Sequence, residues 1–191
     1  AYCASKGGLV LLTNSHVISD DPGVHNALRP GEASITFQLL LEEGQAEEEY
    51  AVERILWSSP PGELDASLLR LEAMPRGLKP YPIAKNLPLA DGEQRVYVIG
   101  HPRGGSLSFS IEDNQLLDHE APRLHYRAPT EGGSSGSPVF NAQWKLVGLH
   151  HAGGHELRRL NNKGGVYAAN EGLWIQSIIS RMREDPQHID G

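Results

Sequence analysis

Short apolar stretches alternate with turn chemistry along most of this chain, and the long periodic segments of a helical protein are missing from it. Leu9-Val10-Leu11-Leu12, entered from Gly7-Gly8, predicts a buried strand. Residues 33–41 and 49–57 are rich in strand-forming residues, and the acidic residues 42–49 between them read as an exposed loop. Asp20-Asp21-Pro22-Gly23 marks a turn, and Ser58-Ser59-Pro60-Pro61-Gly62 stops the strand before it. Residues 66–71, 95–100, 107–111, 124–127, 138–140 and 145–150 supply further strands, with a proline-rich linker over 75–88 joining two halves. Many short strands separated in this way predict an all-β barrel or sandwich.

The period changes near the end. Trp174, Ile175, Ile178, Ile179 and Met182 fall on one stripe of an amphipathic helix. Arg181 and Arg183 complement the negative end of its dipole.

Composition narrows the picture without naming a function. At 191 residues, 39% hydrophobic and 21% charged, the chain has room for one domain or two small packed barrels. A formal net charge of −7 argues against a general binder of nucleic acid or anionic membrane. No apolar run approaches the roughly 20 residues that cross a bilayer. One cysteine, Cys3, allows no intrachain disulfide; that suits the cytoplasm, but secreted proteins can also lack disulfides, so both compartments stay open.

Candidate chemistry starts at residues 130–140, T-E-G-G-S-S-G-S-P-V-F. Glycines around serines allow a tight, partly left-handed turn that presents a hydroxyl and aims backbone N–H groups at one point. An acyl-transfer nucleophile and its oxyanion hole need that arrangement. Elsewhere, L-L-T-N-S-H-V places His16 after an apolar run, and E-L-D-A-S-L-L places Asp65 before one. The order His, Asp, Ser is one of the known chain orders of a catalytic triad. Asp91 and Asp113 are alternatives for the carboxylate, but neither precedes a strand in the L-D-A-S-L-L manner.

These three motifs, in this order, resemble those of the chymotrypsin-like (trypsin-fold) serine peptidases, and most nearly the bacterial glutamyl endopeptidases. The likeness runs from near Leu9 to the last helix. It implies two packed six-stranded antiparallel β-barrels with a C-terminal α-helix, the first barrel about 1–78 and the second about 79–191. Only fifteen residues precede His16, which leaves open whether the first strand is present and suggests an excerpt of a longer protein. The resemblance implies catalysis by His16, Asp65 and Ser135, the serine followed by Gly136-Ser137-Pro138 in the family manner. Gly133 and Ser135 would supply the oxyanion hole through their backbone N–H groups. Ser134 stands where trypsin has an aspartate that pairs with a new N-terminus, so activation of that kind is not expected.

Specificity follows from the same resemblance. Glutamyl endopeptidases hydrogen-bond an acidic substrate side chain through a threonine five residues before the nucleophile and a histidine fifteen after it. Those positions are Thr130 and His150 here. Physically, a carboxylate entering a partly buried pocket needs donors or a cation. The expectation is cleavage after Glu or Asp, with Gln as the alternative the same pair could hold. His151-Ala152-Gly153 would pair with substrate backbone as an added strand, and Gly164-Gly165 would form the far wall. Arg123, Arg127, Arg158 and Arg159 could add positive potential.

Cofactors and metals are not expected. His150, His151 and His155 cluster, but H-E-L-R-R is not H-E-x-x-H, and no Walker A or dinucleotide fingerprint is present. The partner expected is a protein or peptide substrate, with other domains or subunits of a larger regulatory protein as a further possibility. Two competing classes share the motifs: a gated effector domain of a sensor protein, and a non-catalytic peptide-binding module.

Overall fold

In the computed structural model, the described residues are 2–5, 8–37, 48–73, 77–87 and 94–185. Expectations for the loop at 42–47, for strand residues 38–41, for parts of the proline-rich linker and for Asp91 lie outside them. Among these residues twelve strands and one α-helix run in chain order: β1 Tyr2–Ser5, β2 Gly8–Thr13, β3 Ser34–Phe37, β4 Glu48–Ser59, β5 Ala66–Leu71, β6 Val96–Gly100, β7 Ser108–Ser110, β8 Leu116–Glu120, β9 Arg123–Tyr126, β10 Pro138–Asn141, β11 Leu146–Arg158, β12 Val166–Trp174 and α1 Ile175–Glu184. The protein is all-β with a C-terminal helix. One strand, β1, does stand ahead of β2.

By its contacts the chain divides into two compact units, residues 2–80 and residues 81–185. In the first, the sheet order is β1-β2-β5-β4-β3, and every strand pair is antiparallel. Five strands appear here among the described residues, where six were expected. Strand β5 is buried on both faces: Leu68 lies opposite Leu12 on one and Leu69 opposite Leu11 on the other. Leu69 and Leu71 join Ile18, Ala33 and Val52 in the core of this unit. A turn follows β2 over Ser15 to Val17, with the Val17 and Ile18 N–H groups both donating to Asn14 O.

The second unit orders its strands β7-β6-β10-β11-β12-β9-β8. A bridge between Arg95 and Gln115, with Val96 N–H donating to Asn114 O at 2.8 Å and Leu116 N–H to Gln94 O at 2.7 Å, carries β8 back to β6. With β7 and β8 taken as one bent strand, the ring closes at six, as the motifs implied. Tyr126, Leu124, Val139, Val98 and Val147 fill its core. Helix α1 buries Ile175 and Ile178 and leaves its arginines outside. Burying two isoleucines contributes roughly 1.5–3 kcal/mol each.

The hairpin of β10 and β11 positions the site, because it holds residues 135–137 beside His150. Gly136 N–H donates to His150 O at 2.9 Å, and His150 N–H to Ser137 O at 2.8 Å. At the far end of the hairpin the buried Asn141 side-chain oxygen accepts from both Gln143 N–H and Lys145 N–H, each at 3.0 Å. Removing that oxygen strands two backbone donors in the turn. Asn141→Ala is therefore expected to destabilise by about 1–3 kcal/mol in urea unfolding; an unchanged midpoint would contradict this account of the turn.

Candidate active site

In the first unit, Thr13 pairs with Ser67, so the end of β2 lies opposite the start of β5. This register sets the residues after β2 against those before β5, and Asp65 meets His16 there. The Asp65 carboxylate is 1% exposed. One oxygen, Oδ1, accepts from Ser15 Oγ at 2.8 Å and from His16 N–H at 2.9 Å. The other, Oδ2, lies 2.6 Å from His16 Nδ1. Asn14 Nδ2 holds the Asp65 carbonyl at 2.9 Å, and Asp65 itself sits at φ 40°, a left-handed conformation rare for a residue with a Cβ.

This arrangement sets the donor and acceptor roles. An ionised carboxylate can only accept, so Nδ1 of His16 carries the proton towards it. In the neutral ring Nε2 is then the bare acceptor. His16 keeps 37% of its side chain exposed, so the ring is accessible on one side and clamped on the other. Sequence reasoning found His16 and Asp65 but missed Asn14 and Ser15. Their signal was two polar residues directly after an apolar strand, and both are fully buried.

Asp113, the alternative carboxylate, is exposed in the second unit and lies 3.6 Å from Arg127.

Ser135 belongs to the second unit, half-buried on a turn with positive φ on either side: 87° at Gly133 and 81° at Gly136. Gly132 O accepts from Arg103 N–H at 2.9 Å, so the planar trans peptide sends Gly133 N–H the opposite way. A Cβ at Gly133 would come within 3.1 Å of Arg103 N. Glycine is required there twice over, for conformation and for space.

A cavity of about 590 Å³ opens beside Ser135, with Thr130, Gly133, His150, His151, Ala152, Gly153, Ala168, Ala169 and Asn170 on its walls. The structure brings together here Thr130, Gly133, Ser135 and the four residues from His150 to Gly153. The far wall is Ala168 to Asn170 on β12; a Cβ at Gly164 or Gly165 would meet nothing within 4 Å. Beyond His150, β11 pairs with β12 alone among the described residues, which leaves its β10 side as an open edge at Ala152 and Gly153.

His150 is 4% exposed, and its Nδ1 lies 2.7 Å from the hydroxyl of fully buried Tyr126. Burial pushes the Tyr126 hydroxyl well above its ordinary range, with Glu171 adding to the shift. A buried, un-ionised hydroxyl must donate, and among the described residues Nδ1 is the acceptor it reaches. Nε2 of His150 therefore carries the ring proton. Thr130 Oγ1 donates to Asn170 Oδ1 at 2.8 Å, and Asn170 Nδ2 donates to Ala128 O at 2.5 Å.

Neighbouring His151 turns elsewhere, its Nε2 lying 3.2 Å from Glu171 Oε1. The register shift between His150 and Ala152 gives the two rings separate partners. Glu171 also meets His125 Nε2 at 2.8 Å and Arg123 Nε at 3.4 Å. Of the other arginines considered, Arg127 lines the cavity and Arg159 lies over the Tyr167 ring at 5.6 Å.

Residues 2–149 match the trypsin-like peptidase domain. The chain belongs to that family. Solved structures agree on the fold. Rv3671c of M. tuberculosis in an inactive form is 16% identical, with 99% of this chain and 82% of that one covered at a TM-score of 0.58. Its active form is 17% identical, with 95% and 70% covered at 0.57. The HtrA-type protease AlgW with a decapeptide is 19% identical, with 98% and 51% covered at 0.58; this chain spans about half of that one. The trypsin-like peptidase domain here thus carries a histidine held by a buried aspartate in one unit and a serine turn with its cavity in the other.

Beside that cavity, burial opposes the charge on Glu171, but hydrogen bonds from His125 and His151 and the Arg123 guanidinium outweigh it and hold its carboxyl down at about 2. The folded value lies below the ordinary 4.5, so its stabilisation is complete above that pH and is lost as pH falls towards 2. Glu171→Gln is expected to lower the melting temperature at neutral pH. The gap between the two proteins should close across the window from 4.5 to 2; a gap that persists at the acid end would contradict the assignment.

Proposed function

We propose that this trypsin-like peptidase domain is a serine endopeptidase acting through His16, Asp65 and Ser135. The observation that carries the reading is the carboxylate of Asp65, sealed from solvent and spent on the ring and backbone of His16. A non-catalytic binding module has no use for that arrangement, which costs burial of a charge.

Catalysis begins when Ser135 Oγ attacks the scissile carbonyl carbon as its proton passes to His16 Nε2, and Asp65 stabilises the imidazolium that forms. The tetrahedral oxyanion takes hydrogen bonds from Gly133 N–H and Ser135 N–H. His16 then returns the proton to the leaving amine as the C–N bond breaks. The acyl-enzyme left on Ser135 is hydrolysed by water, with His16 again the base. This reading requires Ser135 Oγ to reach His16 Nε2, an encounter between residues of different units.

Peptide would lie along the open edge of β11, with Ala152 and Gly153 pairing to its backbone. The side chain before the scissile bond enters the cavity of Thr130 and His150. That pair suits a side chain ending in oxygen, so Glu, Asp or Gln is favoured over Lys, Arg or Phe. Gating within a larger protein is a second reading, supported by the existence of active and inactive forms of Rv3671c.

Labelling with a fluorophosphonate separates these readings. The protein is expected to be labelled and Ser135→Ala not to be; a folded protein that resists the probe in isolation and in any longer parent is not a serine peptidase. Asp65→Asn is expected to keep the fold and lower turnover by about 10⁴-fold. Ser15 Oγ and His16 N–H would hold the new amide oxygen, turning its NH₂ towards Nδ1 and forcing the proton onto Nε2. Turnover within tenfold of the parent would remove Asp65 from the machinery.

A further inference from the structure

Glu and Gln have the same length and shape, so a pocket tells them apart by charge and by which hydrogens it offers and which it takes. The cavity wall settles that balance through Asn170. This residue sits mid-strand on β12, paired with Gly153 on one side and Tyr126 on the other. Its amide is not free to turn over. Ala128 O is a carbonyl and can only accept, so the NH₂ of Asn170 must face it. The Asn170 oxygen then faces Thr130, and the threonine hydroxyl must spend its one hydrogen there. What Thr130 keeps for a ligand is lone pairs.

His150 is biased the other way. Its Nδ1 is engaged by Tyr126, and the ring hydrogen is on Nε2. Of this pair, His150 is therefore the donor and Thr130 the acceptor. A carboxylate, which has only acceptors, meets lone pairs at Thr130. A carboxamide satisfies both: its oxygen takes the His150 N–H, and its NH₂ donates to Thr130 Oγ1. Gly153 belongs to the device as well, since a Cβ there would come within 2.5 Å of the Asn170 oxygen.

We infer that Asn170 is a specificity-determining positioning residue, which fixes Thr130 as a hydrogen-bond acceptor and makes the cavity select glutamine over glutamate. The inference rests on the peptidase reading for the cavity's role and reorders the Glu, Asp and Gln class within it.

The test uses two peptides identical except for Gln or Glu before the expected scissile bond. Cleavage is measured as kcat/KM, and binding is measured separately on Ser135→Ala, which needs no chemistry. The protein should favour the Gln peptide by about tenfold to a hundredfold in both assays. Asn170→Ala releases the Thr130 hydroxyl to donate, and the ratio should fall towards one through a gain for Glu. If that variant does not fold, Thr130→Val, on the loop after β9, removes the acceptor and should lower the ratio in the same way. A preference for Glu in the protein, or a ratio that neither variant changes, overturns the inference. Binding with the expected ratio but no cleavage would sustain it while removing the peptidase reading.

Discussion

Everything local in the first unit answers to one carboxylate that water cannot reach. An ionised group 1% exposed must be supplied with donors by its surroundings, or its burial would cost several kcal/mol. Asp65 receives three, from Ser15 Oγ, His16 N–H and the His16 ring. All three donors belong to the turn after β2, so the register of β2 on β5 and the conformation of that turn fix each other. The left-handed backbone at Asp65 is tolerable for the same reason, since Asn14 secures its carbonyl from the other side.

The second unit solves a different problem: presenting polar groups in a cavity without leaving any unsatisfied at its base. It does so by pairing wall groups with groups on other strands of the sheet. His150 leans on Tyr126, His151 on Glu171 and Thr130 on Asn170. Because β12 lies between β11 and β9, its residues can serve both neighbours, and the cavity inherits the rigidity of the sheet.

Much of this was legible from sequence where pattern and structure share a period. Strands β5, β6, β9 and β10 fall within a residue or so of expectation because their apolar positions are also their buried ones. Helix α1 starts at Ile175, and Gly172 and Leu173 ahead of it belong to β12. β11 was expected to stop near His150 and runs on to Arg158, and β12 was not seen as a strand at all. Ala-Ala-Asn-Glu-Gly and His-Ala-Gly-Gly-His have little strand propensity; pairing with neighbours holds them extended. β8 was missed because Leu-Leu-Asp-His-Glu does not alternate. Among site residues, those within a motif were readable, but Tyr126 and Asn170 were not. Each acts across strands on a partner at least 24 positions away, a relation that no local spacing encodes.

The bond from Arg103 N–H to Gly132 O has a consequence for how such a site can be altered. The direction of the Gly133 N–H is dictated by a loop some thirty positions upstream, which holds the carbonyl on the opposite face of the same rigid plane. Remodelling that loop would rotate the peptide and withdraw a hydrogen from the reaction centre while every motif residue stayed in place. Inactivity in a chain of this kind would then leave no trace at His16, Asp65 or Ser135.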